Sequence, residues 1–266
     1  MNNDGSVLGS GCFGTVVVVV TDGKILARKL LKNRSVFLRE FANCAELVRR
    51  AHQKHSNTLM LMVNASCTML TIDFPIATKG DMLDACSETF GITRLAQMIE
   101  LTRGVEALRT LCVAHCDLKL ENILVMADNT VRICDFGGAV LLDNIKDRFT
   151  AFDGTVTYCA PEALYSEGTM NANCDLWSLG ICIFAMGCGF NPLDVDDEFD
   201  RQAIAVRRRA SDPRILSHLD ARWASWDSSC WMKGVGFAEV VKGLLRYVSS
   251  TRWNPSQVMH AFNTPL

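Results

Sequence analysis

The stretch VAHCDLKLENILV (113–125) sets His115, Asp117, Lys119, Glu121 and Asn122 between apolar flanks. Charged residues that dense at the mouth of an apolar run rarely serve packing. Asp117 suits the orientation of a hydroxyl nucleophile, and Lys119 the neutralisation of a moving phosphoryl group. Asn122 offers a carbonyl oxygen to a hard cation. Taken alone, the stretch reads equally as a polar turn, so the rest of the chain has to supply partners.

Two further stretches do so. VRICDFGGA (131–139) places Asp135 where a strand gives way to a Phe and two Gly. A carboxylate at such a turn is a good Mg²⁺ ligand. Upstream, GSGCFGTV (9–16) supplies Gly9, Gly11 and Gly14 around Ser10, Cys12 and Phe13. Gly lets backbone N–H groups approach phosphate oxygens without a Cβ in the way. A strand rather than a helix follows, and no Lys-Ser/Thr pair does, which excludes a Walker A loop and a dinucleotide fingerprint. Lys29, in LARKLL (26–31), shares a strand face with Ile25 and Ala27. A Lys on an otherwise apolar face needs an anionic partner, and phosphate is one candidate.

Composition narrows the class. The chain has 266 residues, 49% of them hydrophobic and 21% charged, as in a globular domain. Its 27 basic and 29 acidic side chains nearly cancel, so no bulk field draws it to nucleic acid or an acidic membrane. RRR (207–209) reads as a solvated face. The 12 Cys lack metal-like Cys-x-x-Cys spacing, and most fall in apolar runs such as GICIFAMGCGF (180–190), where Cys is a small hydrophobe. A reducing, intracellular home is expected. The start of the chain has no signal-peptide pattern. The longest apolar segment, 176–190, is too short for a bilayer and predicts a buried helix.

The periodicities predict an α+β, bilobal chain. In SVLGSGCFGTVVVVV (6–20) a strand, a Gly-rich turn and a second strand follow one another, and five successive Val favour a pleat. TDGK (21–24) predicts a hairpin turn. Residues 35–51 predict a helix with Ser35 as N-cap, and TLMLMV (58–63) and TMLTIDF (68–74) two more strands. Helical periodicity appears at 94–111, and helices are expected from about 171 onward. One domain over 1–266 is expected, with a β-rich lobe (1–74), a connector (75–78) and a helical lobe (79–266).

In chain order, GSGCFGTV, ARK, HCDLKLEN, DFGG, GTVTYCAPE (154–162) and DLWSLG (175–180) resemble the signature set of eukaryotic protein kinases. The resemblance implies a serine/threonine protein kinase using ATP and Mg²⁺ on protein substrates, in cytoplasm or nucleus. A nucleotide-binding pseudokinase scaffold is the alternative. The compact chain also resembles kinases of large DNA viruses, which would place it in a host cell. It says nothing of oligomeric state. By position, Asp117 looks like the catalytic base and Lys119 the lysine on the γ-phosphate. Asn122 and Asp135 look like the Mg²⁺ ligands, and Lys29 like the lysine on the α- and β-phosphates. Leu8 and Val16 would cover the adenine, with Ala27 against it, and Thr155 would bridge Asp117 and Lys119. Glu121 matches a position that meets a basic residue upstream of the acceptor.

Lys29 should pair with a Glu on the next helix. Glu40 has Cys44 and Leu47 on its face and is the preferred candidate, while Glu46 has Arg50 one turn on. Arg252 is the candidate partner of Glu162, and Asp175 is expected to accept hydrogen bonds from the backbone of the 113–125 stretch.

Three departures from the pattern stand out. Cys116 replaces the Arg that relatives use to hold an activation-segment phosphate, so independence of that phosphate is expected. With Ile72 as the gatekeeper at the back of the adenine pocket, Asp73 would offer adenine its carbonyl, and Pro75 would lack the usual N–H. Cys12 and Cys134 lie near the expected nucleotide and read either as reactive thiols or as inert packing.

Overall fold

The computed structural model describes residues 5–11, 14–51, 55–86, 91–150, 154–164, 169–193 and 236–263. Cys12, Phe13 and the basic run 207–209 lie outside the described residues.

The first lobe is a five-stranded antiparallel sheet in the order β1-β2-β3-β5-β4, from β1 (Val7–Ser10), β2 (Gly14–Thr21), β3 (Lys24–Leu31), β4 (Asn64–Ser66) and β5 (Thr71–Pro75). The β2–β3 hairpin turns at Asp22 and Gly23, both at positive φ (50° and 72°). That is the mirror-image turn whose twist matches the strands it joins. Directly opposed residues share a face. Val16, Lys29 and Ile72 line up across the three central strands, as do Val18, Ala27 and Phe74.

Helix α1 (Arg34–Ala51) packs against this sheet. Its buried residues are Phe37, Glu40, Cys44, Leu47 and Ala51, a spacing that keeps one stripe inward. Phe37 and Ile72 join Leu31 in a small core of their own. The cap is Asn33, whose Oδ1 accepts the Val36 N–H at 3.0 Å, and not the expected Ser35. The helix therefore starts one residue earlier, because the Asn carbonyl satisfies an otherwise orphaned N–H.

Residues 58–63 do not form the expected strand. The backbone at Thr58–Met60 turns to the second lobe instead: Met60 N–H donates to Ile133 at 2.8 Å and Ile133 N–H to Thr58 at 3.0 Å, while Val63 N–H returns to Asp73 in the sheet. This segment ties the two lobes before β4 begins.

The second lobe is helical. Helix α2 (Met82–Ala85) precedes α3 (Ile92–Thr110), which is followed by the short pairs β6 (Val113–Ala114) with β9 (Val140–Leu141) and β7 (Ile123–Val125) with β8 (Val131–Ile133). Helix α4 (Cys174–Cys188) is buried on every side from Cys174 to Met186, the state its apolar sequence predicts. Gly180 lets α5 (Phe237–Leu244) approach, since a Cβ there would stand 2.9 Å from Leu244. Gly189, at φ 79°, ends α4 by returning its N–H to Ala185. Helix α6 (Pro255–Asn263) closes the described chain. None of the described helices is long and apolar enough to cross a membrane.

Candidate active site

The cleft between the lobes collects the polar groups singled out in the sequence. Lys29, on the inward face of β3, donates to Glu40 Oε1 at 2.7 Å and to Asp135 Oδ1 at 3.0 Å. Burial works to lower the Lys29 pKa, but the charges of Asp135 and Glu40 outweigh it and raise it, so the ammonium persists. Burial likewise works to raise the Asp135 carboxyl, yet the Lys29 charge and hydrogen bond hold it below its ordinary value. Of the two candidate glutamates, Glu40 is thus the one at Lys29. Glu46 faces outward and binds Arg49 and Arg50.

The 113–125 stretch runs through β6 and a short 3-10 turn into β7. Its backbone is fixed by Asp175, at the start of α4, whose two oxygens accept the N–H groups of His115 (2.7 Å) and Cys116 (3.0 Å). Cys116 is held at φ 66°, a left-handed conformation uncommon for a residue with a side chain. The His115 ring stands edge-on to Phe136, centroids 5.3 Å apart, with Nε2 2.9 Å from the Cys134 carbonyl. A carbonyl only accepts, so Nε2 carries the proton, leaving Nδ1 to accept the Asp117 N–H at 3.3 Å.

Around Asp117 three side chains converge. Thr155 donates to Asp117 Oδ1 through both its N–H and its hydroxyl, each at 2.8 Å. The same hydroxyl accepts from Lys119 Nζ at 2.8 Å, and Lys119 stands 3.2 Å from Asp117 Oδ2. Asn122 Nδ2 donates to the Asp117 carbonyl at 2.8 Å and to Oδ2 at 3.2 Å. The Asn122 carbonyl in turn accepts the Cys134 N–H at 2.9 Å, which brings it beside Asp135. Among the described residues no hydrogen bond occupies Asn122 Oδ1 or Asp135 Oδ2. Two open hard-oxygen donors on adjacent turns fit a Mg²⁺ ion.

Leu8 and Gly9 lie at the exposed edge of the sheet, beside a bulge in the β1–β2 pairing, with Ser10 bonded to Thr15 at 3.2 Å. Gly9 and Gly11 have open space where a Cβ would stand, whereas Gly14 has the Leu30 carbonyl there. Only the first two leave room for a ligand, and Gly14 is fixed by the close approach of β3.

Asp73 is a correction. It sits within the sheet, on the face opposite Lys29, and binds Arg28 through two hydrogen bonds at 2.7 and 2.9 Å. Its carbonyl accepts the Val63 N–H at 2.9 Å. It is not placed to serve adenine, because Asp73 pairs with both β3 and β4 and β5 continues through Phe74 to Pro75. Phe74, opposite Ala27, takes the inward position, and Pro75, opposite Leu26, ends the strand. Burial raises the half-buried Cys134 thiol above its ordinary value, which disfavours the reactive thiolate.

Two side chains carry cross-lobe contacts that the motifs do not mention. Asn43 and Arg50 of α1 bind backbone carbonyls of the second lobe. Asn43 lies three residues after Glu40, and that spacing on an inward face was the available signal.

Residues 3–262 match the family model described as the protein kinase domain. The chain belongs to the protein kinase family. This kinase is 30% identical to mouse ribosomal protein S6 kinase alpha-4 over 227 residues, covering 76% of its own length and 28% of the mouse protein. Against zebrafish serine/threonine-protein kinase N2 it is 30% identical over 225 residues, 80% of this chain and 23% of that one. Against rice CBL-interacting protein kinase 4 it is 29% identical over 241 residues, 83% and 52%. The kinase chain therefore spans about a quarter to a half of the length of these curated relatives.

Proposed function

We propose that this domain is a serine/threonine protein kinase that transfers the ATP γ-phosphate to protein hydroxyls. The carrying observation is the Thr155 hydroxyl, set between the Asp117 carboxylate and the Lys119 ammonium. Asp117 accepts from the acceptor hydroxyl and holds it in line with the phosphorus. Lys119 balances charge on the transferring group, and Lys29, fixed by Glu40, steadies the triphosphate. Asn122 and Asp135 would hold Mg²⁺, which supplies charge neutralisation on the phosphates when bound. Val16 and Ala27, with Leu8 above, form the apolar wall for adenine. The connector is taken to begin at Ile76, where backbone N–H groups leave the sheet. Exposed Glu121 suits a basic residue near the acceptor. The burial of Cys44, Cys174 and Cys182 as small core residues supports a reducing, intracellular compartment.

The test is phosphate transfer from labelled ATP to a mixed peptide library by purified protein, with Asp117→Asn as control. Labelled Ser and Thr, absent in the variant, are expected. Nucleotide binding without transfer would replace this reading with a nucleotide-binding scaffold.

A further inference from the structure

Helix α1 sends two polar side chains besides Glu40 into the second lobe. Asn43 Nδ2 donates to the carbonyls of Phe136 (2.8 Å) and Ala139 (3.0 Å). Arg50 Nη1 meets the carbonyls of Leu111 (2.9 Å), Cys112 (3.2 Å) and Leu142 (2.9 Å), while its Nε donates to Glu46. We infer that Asn43, backed by Arg50, is a positioning residue for phosphoryl transfer: it fastens the turn after Asp135 to the helix that carries Glu40. The inference rests on the kinase reading of the cleft.

The geometry closes a ring. Glu40 and Asn43 lie almost one turn apart on α1, on neighbouring positions of one face. Asp135 and Phe136 are consecutive. Glu40 reaches Asp135 through Lys29, and Asn43 reaches Phe136 directly, so helix and turn are joined at two points. A single rotation of α1 would break both. Both N–H groups of the amide are spent on two carbonyls of one four-residue turn, which fixes its orientation as one bond would not.

The turn needs such support. Asp135 has φ 61°, a left-handed conformation that a residue with a side chain keeps only where its surroundings impose it. The Phe136 carbonyl also accepts the Ala139 N–H at 3.1 Å, so Asn43 grips the turn at its own closing bond. Arg50 acts at the far end of the same helix. Leu111 caps α3, whose last carbonyls lack helical partners and present partial negative charge to a cation.

By the same inference these contacts would hold the helix without an added phosphate. The residue before Asp117 is a buried Cys, which offers no charge to a phosphorylated segment. Neutral amide-to-carbonyl bonds and one guanidinium on three carbonyls set the α1 orientation from within the chain.

The experiment uses the full chain, treated with phosphatase, as wild type, Asn43→Leu, Asn43→Ala and Arg50→Met. Leu keeps the branched shape of Asn, though it is larger, and removes both donors. The wild type is expected to be as active after phosphatase as before. Asn43→Leu is expected to lose about tenfold in kcat with KM for ATP within about twofold, since geometry rather than ground-state binding is lost. Amide hydrogen exchange at residues 137–139 should quicken in the same variant by more than any change in melting temperature accounts for. Asn43→Ala serves if Leu does not fold, and Arg50→Met should give the same signature more weakly. Unchanged kcat and exchange in both Asn43 variants would overturn the inference. So would activity that falls only in step with the folded fraction. If the wild type transfers no phosphate, the kinase reading falls instead. The exchange comparison still judges the clamp: equal rates at 137–139 remove it, and faster rates keep it.

Discussion

Arg252 and Glu162, 90 residues apart in the chain, meet in two parallel hydrogen bonds of 2.6 Å. The guanidinium is fully enclosed, also donates to the carbonyls of Asn173 and Arg246 at 2.9 Å, and stacks 5.4 Å from the Trp177 ring. It ties the end of the 154–162 segment to α4 and to the turn after α5. Removing one partner of a buried pair leaves the other desolvated and unpaired. Arg252→Met is therefore expected to lose about 3 kcal/mol of stability, and Glu162→Gln less, because the amide still accepts. Urea unfolding of the two variants measures both.

The Thr155 hydroxyl acts as donor to Asp117 and acceptor from Lys119 at once. Thr155→Val keeps the shape and removes both bonds, which should lower kcat about tenfold, the equivalent of roughly 1.4 kcal/mol. Thr155→Ser should restore most of it. Steady-state kinetics on a Ser-containing peptide reads the difference, and a Ser variant as impaired as the Val variant would point to packing rather than to the hydroxyl.

Pro75 ends β5 opposite Leu26. Its missing N–H thus falls at the strand's last position, before the connector. Pro75→Ala is expected to leave KM for ATP unchanged within about twofold, below the effect of one neutral hydrogen bond of roughly 0.5–1.5 kcal/mol. A larger gain in affinity would return Pro75 to the adenine contact.

The cysteines should separate sharply under alkylation. Cys67 is exposed, while burial pushes the Cys44, Cys134 and Cys182 thiols far up. The thiolate is the reacting form. Iodoacetamide on the native protein, followed by peptide mass spectrometry, should modify Cys67 well before these three. Early labelling of Cys134 would contradict its raised pKa.

Glu46 carries a pH signature. Hydrogen bonds from Arg49 and then Arg50 hold its carboxyl at about 2, against an ordinary 4.5. The folded value lies below the unfolded one, so the stabilising contribution is complete above pH 4.5 and is lost as pH falls toward 2. The stability difference between wild type and Glu46→Gln should shrink across that window. Because the carboxyl is solvent-exposed, the difference is small and should shrink further in high salt. Urea titrations between pH 3 and 6 follow it.

Much of the site was legible in the sequence. Glu40 was preferred over Glu46 because Cys44 and Leu47 extend its stripe, and the helix buries that stripe. The partnership of Glu162 with Arg252 and the hydrogen bonds accepted by Asp175 were expected from the resemblance, helped by a buried carboxylate's need for a cation or donors. Asp73 was misplaced because alternation puts Ile72 and Phe74 on one face but does not say where the strand stops. That depends on the register with β3 and on Arg28, 45 residues away. Residues 58–63 had strand composition, yet the backbone of Thr58–Met60 finds its partner in β8 of the other lobe.

By itself the sequence determined which chemical groups exist, their order, and the local elements that carry them. Periodicity and turn chemistry are properties of near neighbours, so strands, helices and the Asp22–Gly23 hairpin were already written there. Tertiary structure alone decided which groups meet. Lys29 reaches Asp135 across 106 residues, and Asn43 reaches Phe136 across 93. Contacts at that separation depend on how the lobes pack and on the closure of long loops, which no local pattern encodes.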